Sequence, residues 1–339
     1  MTVSDSPVNA SRRAILRAAV AGGMAALAAP HVARAAVNKV RLAHAFPDES
    51  HFGQGARAFA EAVAAHPALN GVLAIDIHGR GELGDELSLL TDCTKGTLDL
   101  AIISNTVVGN LVKENGLLDA PYVFRDPAGA RAALDGPVGA AFAERMRANK
   151  VNILAWAENG LRHITANKAI RTPADLKGLK LRVPQSDVML NGLRALGADA
   201  APLSFKQVHE ALRTGQFEAE ENAIVLIEAS KFYEVQKFVN LTGHIYDPAG
   251  VFCSQDVLDD LTPPQREALA ACAGKGGAAT RAAATEAQEQ GLKRLAAAGM
   301  TVVSDVDVAA MRAAARPFLE GLAATYDADL VHRLITAGA

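Results

Sequence analysis

Residues 73–104 read LAIDIHGRGELGDELSLLTDCTKGTLDLAIIS, and this stretch decides the fold class. Two short apolar runs, 73–78 and 98–104, enclose a segment whose apolar residues have helical spacing, and glycines separate the three. Strands that alternate with helices are typical of a parallel sheet covered by helices. The alternation recurs over 39–66 and 151–215, so the sequence predicts an α/β protein with a mostly parallel sheet.

The glycine run at 79–84, GRGELG, has the G-x-G-x-x-G spacing of a dinucleotide-binding turn. Such a turn follows the first strand of its unit, and an acidic residue about 20 positions later ends the second strand. Here a strand and a helix precede the turn, and Asp99 begins its strand instead of ending it. The competing interpretation is a tight turn at Gly84 with Asp85 as the N-cap of the next helix. We favour this second interpretation and predict no cofactor, with an exported oxidoreductase as the alternative.

Other signatures of enzymes are missing from the sequence. It has no G-x-S-x-G, no H-E-x-x-H and no histidine cluster at metal-ligand spacing. Glu220 and Glu221 are adjacent, so on a strand they point to opposite faces and cannot form a glycosidase pair. The sequence therefore predicts neither catalytic activity nor a metal site.

The N-terminal segment resembles an export signal. A paired arginine in SRRAIL (11–16) precedes a weakly apolar stretch at 18–30 and the small-residue site ARA at 33–35. This pattern predicts a twin-arginine signal over 1–36, cleaved near Ala35 or Ala36, and hence a periplasmic protein. The alternatives are a basic helix or a membrane anchor, but the apolar stretch is shorter than the roughly 20 residues that a bilayer requires.

The remaining chain is mildly acidic and holds few cysteines. Removing residues 1–35, which contain four arginines and one aspartate, takes the formal charge from -3 to -6. This balance argues against a nucleic-acid partner. Three cysteines without a C-x-x-C motif leave one disulfide possible, but we interpret them as buried small apolar residues: Cys93, Cys253 and Cys272.

Several motifs follow one another in a fixed order: HGRGELGDELSLLTDCTKGTLDLAI (78–102), DAPYVF (119–124), and most of 154–248, including NGLRHIT, LRVP and EENA. Together they resemble the solute-binding proteins of TRAP (tripartite ATP-independent periplasmic) transporters. The resemblance extends over nearly all of the chain after the predicted signal. It implies a two-lobed α/β periplasmic binding protein, with mixed sheets flanked by helices and a ligand cleft between the lobes. Lobe I would comprise 37–159 and about 248–287, and lobe II 160–247 and about 288–339.

The resemblance also implies how an acid is held. Arg182 in LRVP ends a strand, where a guanidinium can bind a carboxylate through two parallel hydrogen bonds. Arg162 matches a second ligand-facing position, so the two arginines would bracket one carboxylate; the alternative for Arg162 is a salt bridge, and for Arg182 an exposed surface position. Asn222 would contact the same carboxylate, and Phe205 would pack against the ligand or only in the core.

Weaker correspondences point to the rest of the solute. Positions that would contact its hydroxyl groups are His44, Glu86, Ser104, Gln185 and His244. Where the family reads DGQENP, residues 218–223 read EAEENA. Glu220 therefore adds a negative charge near an anion site, which weakens carboxylate binding unless its side chain points away or is paired.

The implied function is that of a monomeric, non-enzymatic binding subunit. It would capture a small organic acid, with a slight preference for a hydroxycarboxylate, aldonate or uronate, and deliver it to integral membrane TRAP permease subunits. A ligand-presenting module of a sensor is the remaining alternative.

Overall fold

The structure, a computed structural model, describes residues 37–338, so the predicted export signal lies outside the described residues. The strands are β1 Asn38–Ala43, β2 Leu73–His78, β3 Leu100–Ser104, β4 Asn152–Ala166, β5 Lys180–Val183, β6 Asp199–Pro202, β7 Ala219–Ala223, β8 Phe238–Cys253 and β9 Thr301–Val303. The α-helices are α1 His51–Ala65, α2 Glu86–Lys95, α3 Pro127–Leu134, α4 Pro137–Ala148, α5 Asp187–Ala195, α6 Val208–Arg213, α7 Ile224–Ala229, α8 Gln255–Asp259, α9 Pro263–Glu286, α10 Leu292–Ala297, α11 Val308–Gly321 and α12 Ala328–Gly338. None of the helices in this described range is long and apolar enough to cross a bilayer.

The nine strands of residues 37–338 form one mixed sheet. Its order is β2-β1-β3-β8-β4-β7-β5-β6, and β9 pairs with β8. The strands pair in parallel at both ends, β1 with β2 and β3, and β5 with β6 and β7. The middle is antiparallel, because β8 pairs with β3 and β4, and β4 also pairs with β7.

The expectation of a mostly parallel sheet is therefore wrong for the middle. β4 and β8 contain 15 and 16 residues, whereas the apolar run that predicted a strand ends at 157. Buried polar residues, among them Glu158, Asn159 and Arg162, interrupt the apolar pattern in the second half of β4. A strand is recognised in a sequence by its apolar residues. Because the buried residues of this half are polar and paired across strands, the sequence does not show it as a strand.

β4 and β8 also pass through the predicted lobe boundaries at 159/160 and 247/248. Their pairing shifts register between Ile153 and Ala155, between Glu158 and Gly160, and between Arg162 and Ile164. Gly160 has φ 125°, a conformation that favours glycine. The strand pairing is therefore irregular where the predicted lobe boundary crosses β4. The division into two lobes stays a prediction.

The opening stretch folds as its pattern predicts. β2, α2 and β3 lie within 73–104, and Gly84 at φ 141° precedes the N-cap residue Asp85, whose carboxylate accepts a hydrogen bond from Ser88 N. The segment RTPADLKG (171–178) predicts a short capped helix. The structure has a 3₁₀ turn there, at Pro173–Leu176, capped reciprocally by Thr172 and Asp175.

The Ala-rich sequence from Pro263 onward predicts a long helix with a break near Gly274 to Gly277, and the predicted break is wrong. α9 runs without interruption from Pro263 to Glu286, and the irregularity is a π-helical turn at Ala287–Gly291. The glycines serve close packing instead, since a Cβ atom at Gly276 would lie 3.0 Å from Gly55 O, and one at Gly277 would lie 2.3 Å from Trp156 O. The absence of side chains lets α9 approach α1 and β4 closely.

Substitution of Gly277 by alanine should destabilise the fold, because the new methyl group would collide with the backbone of β4. We expect a loss of about 1–3 kcal/mol in the free energy of unfolding, measured in urea. Gly274→Ala is the matched control in the same helix: a Cβ atom there meets nothing within 4 Å, so we expect a gain of up to about 1 kcal/mol. Equal effects of the two substitutions would contradict this account of α9.

The three cysteines are buried and free, as interpreted from the sequence. Cys93, Cys253 and Cys272 belong to one hydrophobic cluster that packs around β1, β3 and the C-terminal half of β8. A second cluster surrounds β5 and contains Leu181, Val183 and Met189.

Candidate ligand-binding site

The ends of strands from both parallel parts of the sheet meet around one cavity. β1, β3, β5 and β6 end beside it, and α2 begins there. Carboxyl ends of parallel strands are where ligands collect in α/β sheets. The lining residues are Ala45, Asp85, Glu86, Leu87, Val107, Arg182, Pro184, Gln185, Leu203, Ser204, Phe205 and Lys206.

Arg182 is a buried cation without a counterion. Its side chain is 2% exposed, and Nε and Nη2 donate to the carbonyl oxygen of Leu203 at 2.9 and 2.6 Å. Among residues 37–338, no carboxylate oxygen lies within 4.0 Å of the guanidinium. Burial lowers the pKa of Arg182 to about 10. An acid that entered the cavity would supply the missing negative charge.

Arg162 is fully occupied by protein carboxylates. Nε and Nη2 donate to the two carboxylate oxygens of Glu221 at 2.5 and 2.7 Å, and Nη1 donates to Asp247 Oδ2 at 2.6 Å. Burial alone would lower the pKa of Arg162, but Glu221 and Asp247 outweigh it and raise the pKa. The structure thus shows the salt bridge that was the alternative for Arg162, and Arg162 is not among the residues that line the cavity.

Glu86 and Ser104 form a polar pair at the start of α2 and the end of β3. Glu86 Oε1 accepts from Ser104 N at 2.7 Å, and Oε2 accepts from Ser104 Oγ at 2.9 Å. Burial raises the pKa of Glu86 to about 7. Glu86 lines the cavity. Ser104 does not line it, but its two hydrogen bonds hold the Glu86 carboxylate in place.

Asn222 and Glu220 share one buried face of β7. Asn222 Nδ2 donates to Glu220 Oε2 at 2.9 Å, and Thr165 Oγ1 donates to Glu220 Oε1 at 2.9 Å. Glu220 is therefore hydrogen-bonded, but only to neutral groups. Ala219, in place of the family's glycine, has an ordinary strand conformation.

Two hydrogen bonds at the cavity involve the lining residues Lys206 and Gln185. Lys206 Nζ donates to Gly81 O at 2.7 Å, and Asn110 Nδ2 donates to Gln185 O at 2.8 Å. Each hydrogen bond joins the part of the sheet around β1–β3 to the part around β5–β6. Phe205 also lines the cavity, and its ring centroid is 4.8 Å from that of Phe46.

His44 and His244 do not line the cavity. His44 is buried, and neither ring nitrogen has a hydrogen-bond partner among the described residues. His244 Nε2 lies 3.2 Å from Glu221 Oε2, so His244 belongs to the Arg162 network. Of the nine predicted site residues, the cavity brings together Arg182, Glu86, Gln185 and Phe205; the roles of all nine stay predictions.

The sequence did not predict the two carboxylate partners of Arg162 or the contact of Lys206 with the glycine loop. Glu221 and Asp247 lie 59 and 85 positions from Arg162, and no local pattern connects residues at such distances. The available signal was an acidic residue inside a buried strand, since such residues are rarely buried unless they are paired. Lys206 follows Phe205 and was not singled out.

The glycine run at 79–84 is a loop after β2, which lies at the edge of the sheet. Arg80 and Gly81 both have positive φ values, 56° and 65°, and the loop contacts Lys206 through a backbone carbonyl. Within residues 37–338, no group of three or more His, Cys, Asp or Glu side chains is arranged to hold a metal ion.

Comparisons with known proteins agree on one family. Residues 42–325 match the model of bacterial extracellular solute-binding protein, family 7. The 2,3-diketo-L-gulonate-binding periplasmic protein YiaO of Escherichia coli is 33% identical over 238 residues, which cover 70% of this chain and 73% of that protein.

Two solved structures share the fold and a similar level of identity. A TRAP periplasmic solute-binding protein from a Polaromonas species, bound to D-erythronate, has a TM-score of 0.84 and 32% identity and covers 88% of this chain and 98% of its own. A sugar acid binding protein from Advenella mimigardefordensis, in complex with galactonate, has a TM-score of 0.84 and 29% identity. The match covers 89% of this chain and 98% of that protein.

Proposed function

Because this chain belongs to bacterial extracellular solute-binding protein family 7, the solute-binding proteins of TRAP transporters, we propose that it captures a small sugar acid through Arg182. The observation that carries the proposal is the buried guanidinium of Arg182, which has no carboxylate oxygen within 4.0 Å among residues 37–338. Two parallel hydrogen bonds from a guanidinium to a carboxylate satisfy both the charge and the geometry of the acid. The protein then delivers the acid to membrane permease subunits and performs no reaction on it.

The surroundings of Arg182 favour a hydroxylated acid over an aryl acid. Glu86, Gln185 and Ser204 line the same cavity and can exchange hydrogen bonds with hydroxyl groups, while Phe205 contributes one apolar wall. Relatives that bind D-erythronate, galactonate or 2,3-diketo-L-gulonate support this class of solute. An aldonate, a uronate or a short hydroxycarboxylate meets all of these requirements.

Closure around the acid strengthens its binding. The contacts from Lys206 to Gly81 and from Asn110 to Gln185 join the two parts of the sheet that line the cavity. Charge pairing is stronger where water is excluded, so we propose that these contacts hold the closed form over the bound acid. We propose that the two lobes separate at the irregular β4–β8 pairing to admit the acid, and that the closed form docks on the permease as a monomer in the periplasm.

A thermal-shift screen over carboxylates tests the proposal. The acids are D-erythronate, galactonate, D-glucuronate and 2,3-diketo-L-gulonate, each paired with a neutral polyol of equal carbon number. A ligand at 100 times its dissociation constant adds about 2.7 kcal/mol to the native state, so at least one acid should raise the melting temperature by several degrees. The polyols should leave it unchanged. The proposal would be overturned if only the polyols raised the melting temperature, or if none of the acids did.

A further inference from the structure

Glu220 places a carboxyl group beside the cation that is proposed to hold the acid. It stands in β7 where the family pattern has glutamine, and it is completely buried. Its register partners are Arg182 on β5 and Thr165 on β4. Register partners on neighbouring strands point to the same face of a sheet, so Glu220 and Arg182 share one face.

No cation neutralises Glu220. Its two oxygens accept hydrogen bonds from Thr165 and Asn222, which are both uncharged, and no Arg, Lys or His nitrogen in 37–338 lies within 4.0 Å. An ionised Glu220 is therefore a buried anion whose charge is balanced only at longer range, by Arg182. Buried carboxylates in this situation readily bind a proton.

We propose that Glu220 takes up a proton when a sugar acid pairs with Arg182, so that this protein captures its solute as an anion together with one proton. The proposal rests on the proposed function of Arg182. A bound carboxylate brings a second negative charge to the one guanidinium, and two anions at a single buried cation repel each other. A proton from solvent removes this repulsion and converts Glu220 from an acceptor into a hydrogen-bond donor.

The other ionisable groups near Glu220 differ in whether they can take up the proton. Glu221, next to it on β7, stays ionised because the favourable charge of Arg162 outweighs the effect of burial and lowers the pKa of Glu221. His163 on β4 stays neutral, because burial lowers its pKa to about 4. Glu86, on α2 at the cavity wall, is the competing proton acceptor, since its pKa is raised to about 7.

The pH dependence follows from the ligand-free state. Burial raises the pKa of Glu220 to about 7. Below this pH the carboxyl group is already protonated, and binding of the acid requires no further proton. Above it, each bound acid must bring a proton with it, so the affinity falls by up to tenfold for each pH unit. We expect binding to be about tenfold weaker at pH 8 than at pH 6.

Calorimetric titration of the full chain with galactonate and with D-erythronate tests the proposal. Titration at pH 8 in phosphate and in Tris, whose ionisation enthalpies differ, should show uptake of about one proton per bound acid. Glu220→Gln should abolish the uptake, bind more tightly than the unsubstituted protein at pH 8 and have the same affinity at pH 6 and pH 8. Glu218→Gln, an exposed position on the same segment, is the matched control and should keep the uptake.

Three results would overturn the proposal. One is binding without proton uptake and with equal affinity at pH 6 and pH 8. Another is uptake that persists in Glu220→Gln but disappears in Glu86→Gln, which would assign the proton to Glu86. Failure of every acid to bind even at pH 6 would overturn the proposed function itself, and the proton linkage with it.

Discussion

Arg182→Ala should bind sugar acids roughly 30- to 4,000-fold more weakly than the unsubstituted protein. Removal of one partner of a buried, hydrogen-bonded charge pair costs about 2–5 kcal/mol of binding free energy, which corresponds to this range. Among the described residues, Arg182 is the only arginine that lines the cavity, and no carboxylate of the protein is paired with it there. The variant would therefore offer the acid no guanidinium. Calorimetric titration with the acid that stabilises the protein most measures the effect.

Two further variants separate charge from geometry. Arg182→Lys keeps a positive charge but loses the planar pair of donors, so we expect an affinity between those of the alanine variant and the unsubstituted protein. Arg213→Ala is the matched control, because Arg213 is exposed and pairs only with Glu210 one helical turn away. An affinity of Arg182→Ala equal to that of the control would exclude Arg182 as the anchor.

Arg162→Ala should cause the largest loss of stability, about 3–5 kcal/mol in the free energy of unfolding of the ligand-free protein. The substitution leaves Glu221 and Asp247 buried and without their cation, and an uncompensated buried charge is strongly destabilising. Urea unfolding, followed by circular dichroism, measures the loss. Arg182→Ala should lose much less stability, because Arg182 forms no ion pair with any residue of the described part of the chain.

The comparison of the two arginines separates their roles. If Arg162 anchored the acid and were not part of the scaffold, Arg162→Ala would unfold at nearly the same urea concentration as Arg213→Ala, and the loss would appear in acid binding alone. Such a result would support the role that the family resemblance predicts, in which Arg162 and Arg182 both bind the carboxylate of the acid.

Local features of the fold could be predicted from the sequence, and long-range ones could not. The segment 73–104 was predictable because apolar spacing and glycines act over a few residues. The second half of β4 was not, because its buried polar residues are satisfied by distant strands and look like a loop in isolation. The glycines of α9 were misread for the same reason, since their function is contact with α1 and β4.

The candidate site divides along the same line. Arg182 was predictable because it ends a strand within a motif that resembles a known family. The charge state of its surroundings was not, because it depends on which acids are paired: Glu221 with Arg162, and Glu220 with neutral groups alone. Pairing of this kind is decided by the packing of β4, β5 and β7 and becomes visible only in three dimensions.

The loop at 79–84 contacts the cavity residue Lys206 through a backbone atom instead of a side chain. Lys206 reaches the carbonyl oxygen of Gly81, and a Cβ atom at Gly81 would lie 2.6 Å from the Lys206 side chain. The remaining side chains of the loop take no part in this hydrogen bond. The other residues of the loop can therefore change without loss of this hydrogen bond, provided that Gly81 and Lys206 are kept.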